Sequence, residues 1–372
     1  MSEATLESRT ATAPDTAAAV AVPTAVETEP AVEAVAAVET EPAVEAVAAV
    51  ETDTGVEAVA AVETEPAVEA GTASTVRPFR LKALPGGLLR NARPRQWVKN
   101  VLVLAAPGAA GMLTHTAVLR QVGIVFVLFC AAASSIYFLN DAIDVEADRA
   151  HPTKRHRPIA SGVVPLPVAY VCAALLGGGA IAGALLLCNT PTAIALGCYL
   201  IMQFLYCTGL KHVLVVDLAF VTSGFLIRAM IGGLAADIRL SQWFLITTGF
   251  AALFMVAAKR YSELVSMGDK AASSRKLLGE YSNTYLRFVW QASAAVTVLS
   301  YCLWSSDHTT NADTALRQIT VLPFIFAILR YAIFADRGTA EAPENVVLKD
   351  RPLLMLGAIW AGLYGFSVLG AV

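Results

Sequence analysis

Nine long apolar stretches dominate the chain after residue 90 and dictate what it can fold into. They fall at 97–112, 117–139, 165–187, 191–209, 213–235, 241–258, 285–304, 317–335 and 353–371. A hydrocarbon core about 30 Å thick is crossed by about 20 residues of α-helix, so each stretch reads as a span, the first being the shortest. Charged residues make up 15% of the chain, against about 25% in ordinary globular proteins, and the deficit lies in these stretches. A soluble enzyme is excluded. The expected fold is all-α: a polytopic membrane protein of about nine transmembrane helices with the lipid bilayer as its main partner.

The head of the chain differs. From Ala25 a twelve-residue unit repeats as AVETEPAVEAVA twice, then AVETDTGVEAVA, then a truncated AVETEPAVEA ending at Ala70. The units hold no aromatic residue and nothing larger than Val among their apolar side chains, too little to offset chain entropy. Residues 1–75 are therefore expected to form a disordered acidic tail, with residues 76–372 as the transmembrane catalytic domain. The tail carries fifteen acidic side chains and one basic, the remainder fifteen acidic and twenty-six basic. It lacks the basic region and apolar core of a signal peptide.

Lysines and arginines in the loops set the orientation. With residues 76–99 on the cytoplasmic side, twenty-two basic residues fall there and only Arg120, Arg239 and Arg317 opposite. The expected arrangement is a multi-pass protein of the plasma membrane with a cytoplasmic N-terminus and the chemistry-bearing loops facing the cytoplasm. The six cysteines all lie in apolar spans without C-x-x-C spacing and read as packing residues.

At the cytoplasmic end of the second span the chain reads YFLNDAIDVEADRAHPTKRHRPIASG. On a continued helix Asp141, Asp144 and Asp148 line one stripe, with Asn140 one turn before Asp144. Stacked carboxylates repel unless a cation sits among them, and oxygen-only donors favour Mg²⁺. Lys154, Arg155 and Arg157 follow closely, so the segment reads as a pyrophosphate site. The plain alternative, acids solvating a helix end, is disfavoured because acids at a helix C-terminus oppose its dipole. His151 and His156 read as loop residues.

The string N-D-x-x-D-x-x-x-D ahead of H-P-x-K-x-x-R-P resembles the first motif of the UbiA superfamily of intramembrane prenyltransferases, whose helices enclose a lipid-open cavity. RPRQWVKN at 93–100, the 140–162 stretch, YCTGLKH at 206–212 and KRYSEL at 259–264 resemble a phosphoribosyl-transferring branch of that superfamily. The likeness covers about residues 80–372. It implies transfer of 5-phosphoribose from phosphoribosyl pyrophosphate (PRPP) to decaprenyl or another polyprenyl phosphate, supplying the lipid-linked arabinose donor of cell-wall arabinan. It also implies Mg²⁺ and pyrophosphate on Asn140, Asp141, Asp144 and Asp148, and phosphates on Lys154, Arg157, Lys259 and Arg260.

Aromatic prenyltransferases of the superfamily carry a second aspartate cluster after the sixth span. The corresponding stretch here, AAKRYSELVSMGDKAASSRK, has only Glu263 as an acid near the membrane, beside Lys259 and Arg260. One acidic ladder with several cations suits a donor and acceptor richer in phosphate than a single diphosphate. Prenyl transfer to an aromatic acceptor is the rival activity, and passage of an anionic lipid or phosphate is the non-enzymatic one.

Asp217 and Arg228 share a face of the fifth span, either as an ion pair or as part of a polar cavity wall. Gln96, Lys99, Tyr206 and Lys211 belong to the same cytoplasmic rim, where Lys99 and Lys211 serve either the lipid phosphate or topology alone. Tyr281 and Tyr285 read as interfacial aromatics. Gly177–Gly179 and Gly232–Gly233 read as sites of close helix approach. No nucleic-acid partner is expected, and a homo-oligomer is the macromolecular partner allowed for.

Overall fold

The computed structural model describes residues 83–267, 276–306 and 312–369. The repeat tail lies outside these residues, as do Arg77, Arg80, Lys82, Lys270 and Arg275, which the orientation count used.

All regular structure among the described residues is helical. The helices are α1 (Leu84–Ala92), α2 (Ala105–Ala109), α3 (Thr116–Ile143), α4 (Val145–Ala150), α5 (Leu166–Leu187), α6 (Thr190–Thr208) and α7 (Val216–Ala235). Then come α8 (Gln242–Met267), α9 (Lys276–Glu280), α10 (Asn283–Ser306), α11 (Ala312–Ile319), α12 (Val321–Asp336), α13 (Pro343–Lys349) and α14 (Arg351–Leu369). A long 3-10 segment, Pro94–Leu104, joins α1 to α2.

Seven stretches among the described residues are long and apolar enough to cross a membrane: α3, α5, α6, α7, α8, α10 and Ala315–Asp336. The last expected span, 353–371, falls largely on the 19-residue α14, which is not among these seven. The first expected span, 97–112, is not one continuous α-helix. Its chain runs as 3-10 helix to Leu104 and as α-helix only over Ala105–Ala109. Pro107 cannot donate into an i→i−4 ladder, and Gly111 at φ 71° turns the chain away. Because a 3-10 helix rises about 2.0 Å per residue and an α-helix about 1.5 Å, the helical part of this stretch, residues 97–109, amounts to roughly 24 Å.

Local chemistry sets the helix limits. Asn189 caps α6 by accepting from the Thr192 amide at 3.0 Å, a role its short polar side chain fits well. Pro167 and Pro191 sit in the first turns of α5 and α6, where a missing N–H costs nothing. The outward faces stay apolar, with Leu186 82% exposed, as lipid contact demands. α3 packs along α5, and α8 along α10.

In lipid, helices associate through close packing rather than water exclusion, so small residues decide approach. A Cβ on Gly177 would lie 2.8 Å from Ser135 Oγ. One on Gly232 would collide with the Val103 carbonyl oxygen, so that glycine lets the 3-10 segment press against α7. Gly178 and Gly179 meet nothing; only the first of that triplet makes the expected close approach.

Candidate active site

The acidic ladder sits where α3 gives way to α4. Asp144 caps α3 at φ −85° and ψ 11° and starts α4, yet its amide still bonds to the Asn140 carbonyl at 2.9 Å and its carbonyl receives the Asp148 amide at 2.8 Å. The bend is slight, so the stripe is nearly preserved. Asp141 and Asp148 are buried, whereas Asn140 and Asp144 are half-buried.

Each carboxylate is met by a cation. Arg93 forks onto both oxygens of Asp141 at 2.6 and 2.7 Å. Arg157 bridges Asp141 at 3.0 Å and Asp148 at 2.7 Å. Lys211 reaches both oxygens of Asp144 at 2.8 and 3.0 Å. Arg93 was not expected from the sequence. It holds a left-handed conformation, φ 53°, at the exit of α1, and its guanidinium lies over the Tyr137 ring, 4.9 Å from the centroid. Its place within RPRQWVKN was the signal available.

The three aspartates do not converge on one point. Among the described residues, no three His, Cys, Asp or Glu side chains gather closely enough to hold a metal ion. The reason is electrostatic: arginine and lysine groups take the positions between the acids. The donor chemistry, oxygen only and anionic, nevertheless fits a hard divalent cation.

A second cluster joins α6, α7 and α8. Asp217, fully buried, accepts from Tyr206 Oη at 2.7 Å and from Arg260 at 3.0 and 3.3 Å. Arg260 also bonds to Glu263 at 2.9 Å, and Lys259 lies 3.7 Å from the same carboxylate. Arg260 is 7% exposed and engaged by two acids, so its first role is to tie α8 to α7. Tyr281, expected at the interface, is instead buried, and its hydroxyl accepts from the Val215 amide at 2.9 Å at the entrance to α7. Burial pushes that hydroxyl pKa up.

Asp217 and Arg228 do not pair. Eleven residues along a helix amount to about 16 Å of rise, so a shared face puts them at different depths. Arg228 donates from Nε to Asn100 Oδ1 at 3.0 Å, from one terminal nitrogen to Tyr199 Oη at 3.0 Å and from the other to the Gly224 carbonyl at 2.9 Å. The rings of Phe129 and Tyr199 face its guanidinium at 5.1 and 5.2 Å, a favourable cation–π setting. No carboxylate reaches it within ion-pair distance among the described residues, so the expected ion pair with Asp217 is not formed. Gln96 and Lys99, both half-buried, lie on the 3-10 segment; Lys99 feels the charges of Glu344, Lys259 and Arg228. Lys154, His151 and His156 are exposed, and Lys154 and His156 belong to a short 3-10 turn.

Beside the ladder opens a cavity of about 350 Å³ lined in part by Arg90, Asn91, Arg93, Asp141, Lys154 and Arg157. That volume lies within the range of small-ligand pockets.

Comparison with known proteins gives this arrangement a context. Residues 101–361 match the model of the UbiA prenyltransferase family. A decaprenyl-phosphate phosphoribosyltransferase of Mycolicibacterium smegmatis is 48% identical over 299 residues, covering 77% of this chain and 94% of that protein. One of the same name from Corynebacterium glutamicum is 49% identical over 286 residues, covering 75% and 86%. Among solved structures, a UbiA homolog from Archaeoglobus fulgidus bound to DMAPP and Mg2+ superposes with a TM-score of 0.57 at 16% identity, covering 77% of this chain and all of that one. The family match over most of the chain and the identity of these relatives place it plainly: this multi-pass membrane protein belongs to the UbiA prenyltransferase family.

Proposed function

We propose that the protein transfers 5-phosphoribose from PRPP to decaprenyl or another polyprenyl phosphate, releasing pyrophosphate, as a step towards lipid-linked arabinose for cell-wall arabinan. One observation carries this reading: an aspartate ladder on α3–α4 is met by the cations Arg93, Arg157 and Lys211, in a chain 48% identical to phosphoribosyltransferases over most of their length.

Asp141, Asp144 and Asp148, with Asn140, would hold Mg²⁺, which supplies neutralisation of the charge growing on departing pyrophosphate. Arg93, Arg157 and Lys211, already at the ladder, stand ready to hold phosphate oxygens as point charges or forks. Lys154 adds a further cation. Lys259 lies on α8, where it shares the Glu263 carboxylate with Arg260, itself fixed by Asp217. Gln96, Lys99 and Arg228 line the path of the lipid phosphate, and Tyr206 holds the Asp217 carboxylate in place.

The acceptor phosphate oxygen bonds to ribose C1 as the bond from C1 to the pyrophosphate oxygen breaks, on opposite faces. The acceptor has a second pKa near 6, so it is largely ionised at neutral pH and needs no general base. Inversion at C1 follows. Residues 76–372 form the catalytic unit, with the ladder and the N-terminus on the cytoplasmic side.

The test uses the purified full chain in detergent with labelled PRPP, polyprenyl phosphate and Mg²⁺. Label should pass to the lipid, stop with EDTA and resume with added Mg²⁺, and the product should show inverted anomeric configuration by NMR. Transfer from a labelled prenyl diphosphate to an aromatic acid, without transfer from PRPP, would replace this reading by the rival one.

A further inference from the structure

The cavity beside Asp141 contains a buried amide that no described residue satisfies. Asn91, at the end of α1, is 1% exposed, and among the described residues neither its Oδ1 nor its Nδ2 has a hydrogen-bond partner. A buried polar group left unmet carries its full desolvation penalty. Among the described residues no other side chain leaves two such atoms unmet. Around it, Arg93 and Arg157 are committed to aspartates, but Arg90 and Lys154 make no ion pair among the described residues. The same wall thus carries two uncommitted cations and one side chain that demands both a donor and an acceptor.

We propose that this cavity seats the phosphorylated end of a sugar phosphate, with Asn91 bonding a sugar hydroxyl and a phosphate oxygen while Arg90 and Lys154 hold the terminal phosphomonoester. The ligand class follows from the amide. An ionised phosphate only accepts hydrogen bonds, so it could satisfy Nδ2 and would leave Oδ1 unmet. A hydroxyl donates to Oδ1, and a sugar phosphate presents hydroxyl and phosphate together. The charge agrees, since a phosphomonoester carries about −1.5 to −2 at neutral pH. Asp141 lines the same cavity, so the seat holds one end of a donor whose other end reaches the ladder. The identification of that donor as PRPP rests on the phosphoribosyl-transfer reading; the seat itself does not. Asn91 and Arg90 then become residues that select the donor.

Ribose 5-phosphate is the probe, titrated calorimetrically into the full chain in detergent, with ribose and inorganic phosphate titrated alongside. Ribose 5-phosphate should bind at least about tenfold more tightly than either control. Lys154→Gln and Asn91→Leu should each weaken it by about tenfold or more, while the KM for polyprenyl phosphate stays unchanged. Lys154 is exposed, so its replacement tests the seat even if Asn91→Leu fails to fold. Equal binding by wild type and Lys154→Gln, or inorganic phosphate binding as tightly as ribose 5-phosphate, overturns the seat. Lys154-dependent binding without transfer from PRPP keeps the seat and refutes the transfer reading. Transfer from PRPP with a donor KM indifferent to Lys154 and Asn91 does the reverse.

Discussion

Replacing Asp141 and Asp144 one at a time by Asn separates a ladder that holds metal and phosphate from one that only holds the helices together. The two sites differ in how much stability each carboxylate supports. Asp141, its side chain 2% exposed, receives two bonds from Arg93 and one from Arg157. Asparagine keeps the shape but loses the charge and one acceptor oxygen. Arg93 and Arg157 retain 30% and 29% side-chain exposure, so both can turn to water, and Arg157 keeps Asp148. The loss is then that of charge-assisted hydrogen bonds, about 1.5–3 kcal/mol. Asp144 and Lys211 are 28% and 20% exposed, and a partly exposed pair of this kind is worth only about 0–1 kcal/mol.

Activity should follow a different order. If both carboxylates hold the charge that stabilises departing pyrophosphate, each loss resembles removal of one preorganised electrostatic group, about 2.7–4 kcal/mol or 10²- to 10³-fold in kcat. The assay pairs label transfer at saturating Mg²⁺ with thermal unfolding of the same detergent samples. Asp144→Asn should be nearly as stable as wild type and nearly inactive; Asp141→Asn should be inactive and measurably less stable. Activity within about threefold of wild type in Asp144→Asn, or activity losses that merely track stability, would refute the reasoning.

Asp217→Leu should cost roughly 3–5 kcal/mol by stranding buried Arg260, and pairing it with Arg260→Met should cost less than the sum of the single changes in denaturation experiments. Simple additivity would remove the proposed tie between α7 and α8. Gly232→Ala should lower folded yield, because the added methyl meets the Val103 carbonyl, at about 1–3 kcal/mol or more; Gly178→Ala, which meets nothing, should stay within about 0.5 kcal/mol of wild type. The hydrogen bond from Arg330 holds the Asp350 carboxyl below its ordinary value of 3.8. Its folded pKa is thus the lower one, so its contribution is complete above 3.8 and fades as pH falls through the folded value; Asp350→Asn should lower stability slightly at neutral pH, where the contribution is present, and flatten the fall in stability at the acid end.

The spans were legible because lipid solvation writes itself as runs of about 20 apolar residues. The ladder was legible because i, i+3 and i+7 spacing survives a slight bend at Asp144. What spacing could not supply was the partner of each acid. Arg93 comes from 48 residues before Asp141, and Lys211 from 67 residues after Asp144, so both pairings exist only once α1, α3 and the end of α6 are packed. For Asp217 and Arg228 the sequence left an ion pair and a cavity wall open, and only the packed structure, with Arg260 on Asp217 and Asn100 on Arg228, removes the ion pair. The first span misled because a hydropathy window assumes one continuous α-helix, whereas this stretch passes from 3-10 to α-helix at Ala105. Asn91 left no signal, because an unmet amide is a property of its surroundings.

The charge balance of the site bears on the donor class. The acids Asp141, Asp144, Asp148, Asp217 and Glu263 are matched by Arg93, Arg157, Lys211, Lys259 and Arg260. Arg90, Lys99, Lys154 and Arg228 stand outside these ion pairs. Arg90 and Lys154 are exposed, Lys99 is half-buried and Arg228 is buried, and together they form an excess of positive charge that a phosphate-rich ligand would match. A diphosphate bound with a divalent ion at the ladder leaves little charge to match. Two phosphomonoesters, one on a phosphorylated sugar and one on the lipid, carry together about −3 to −4, close to the excess. A prenyl diphosphate with an aromatic acceptor brings neither, and would leave those four cations without a counter-charge. The cations outside the ladder therefore favour phosphoribosyl transfer over prenyl transfer on electrostatic grounds that do not depend on the ladder motif, which both activities share.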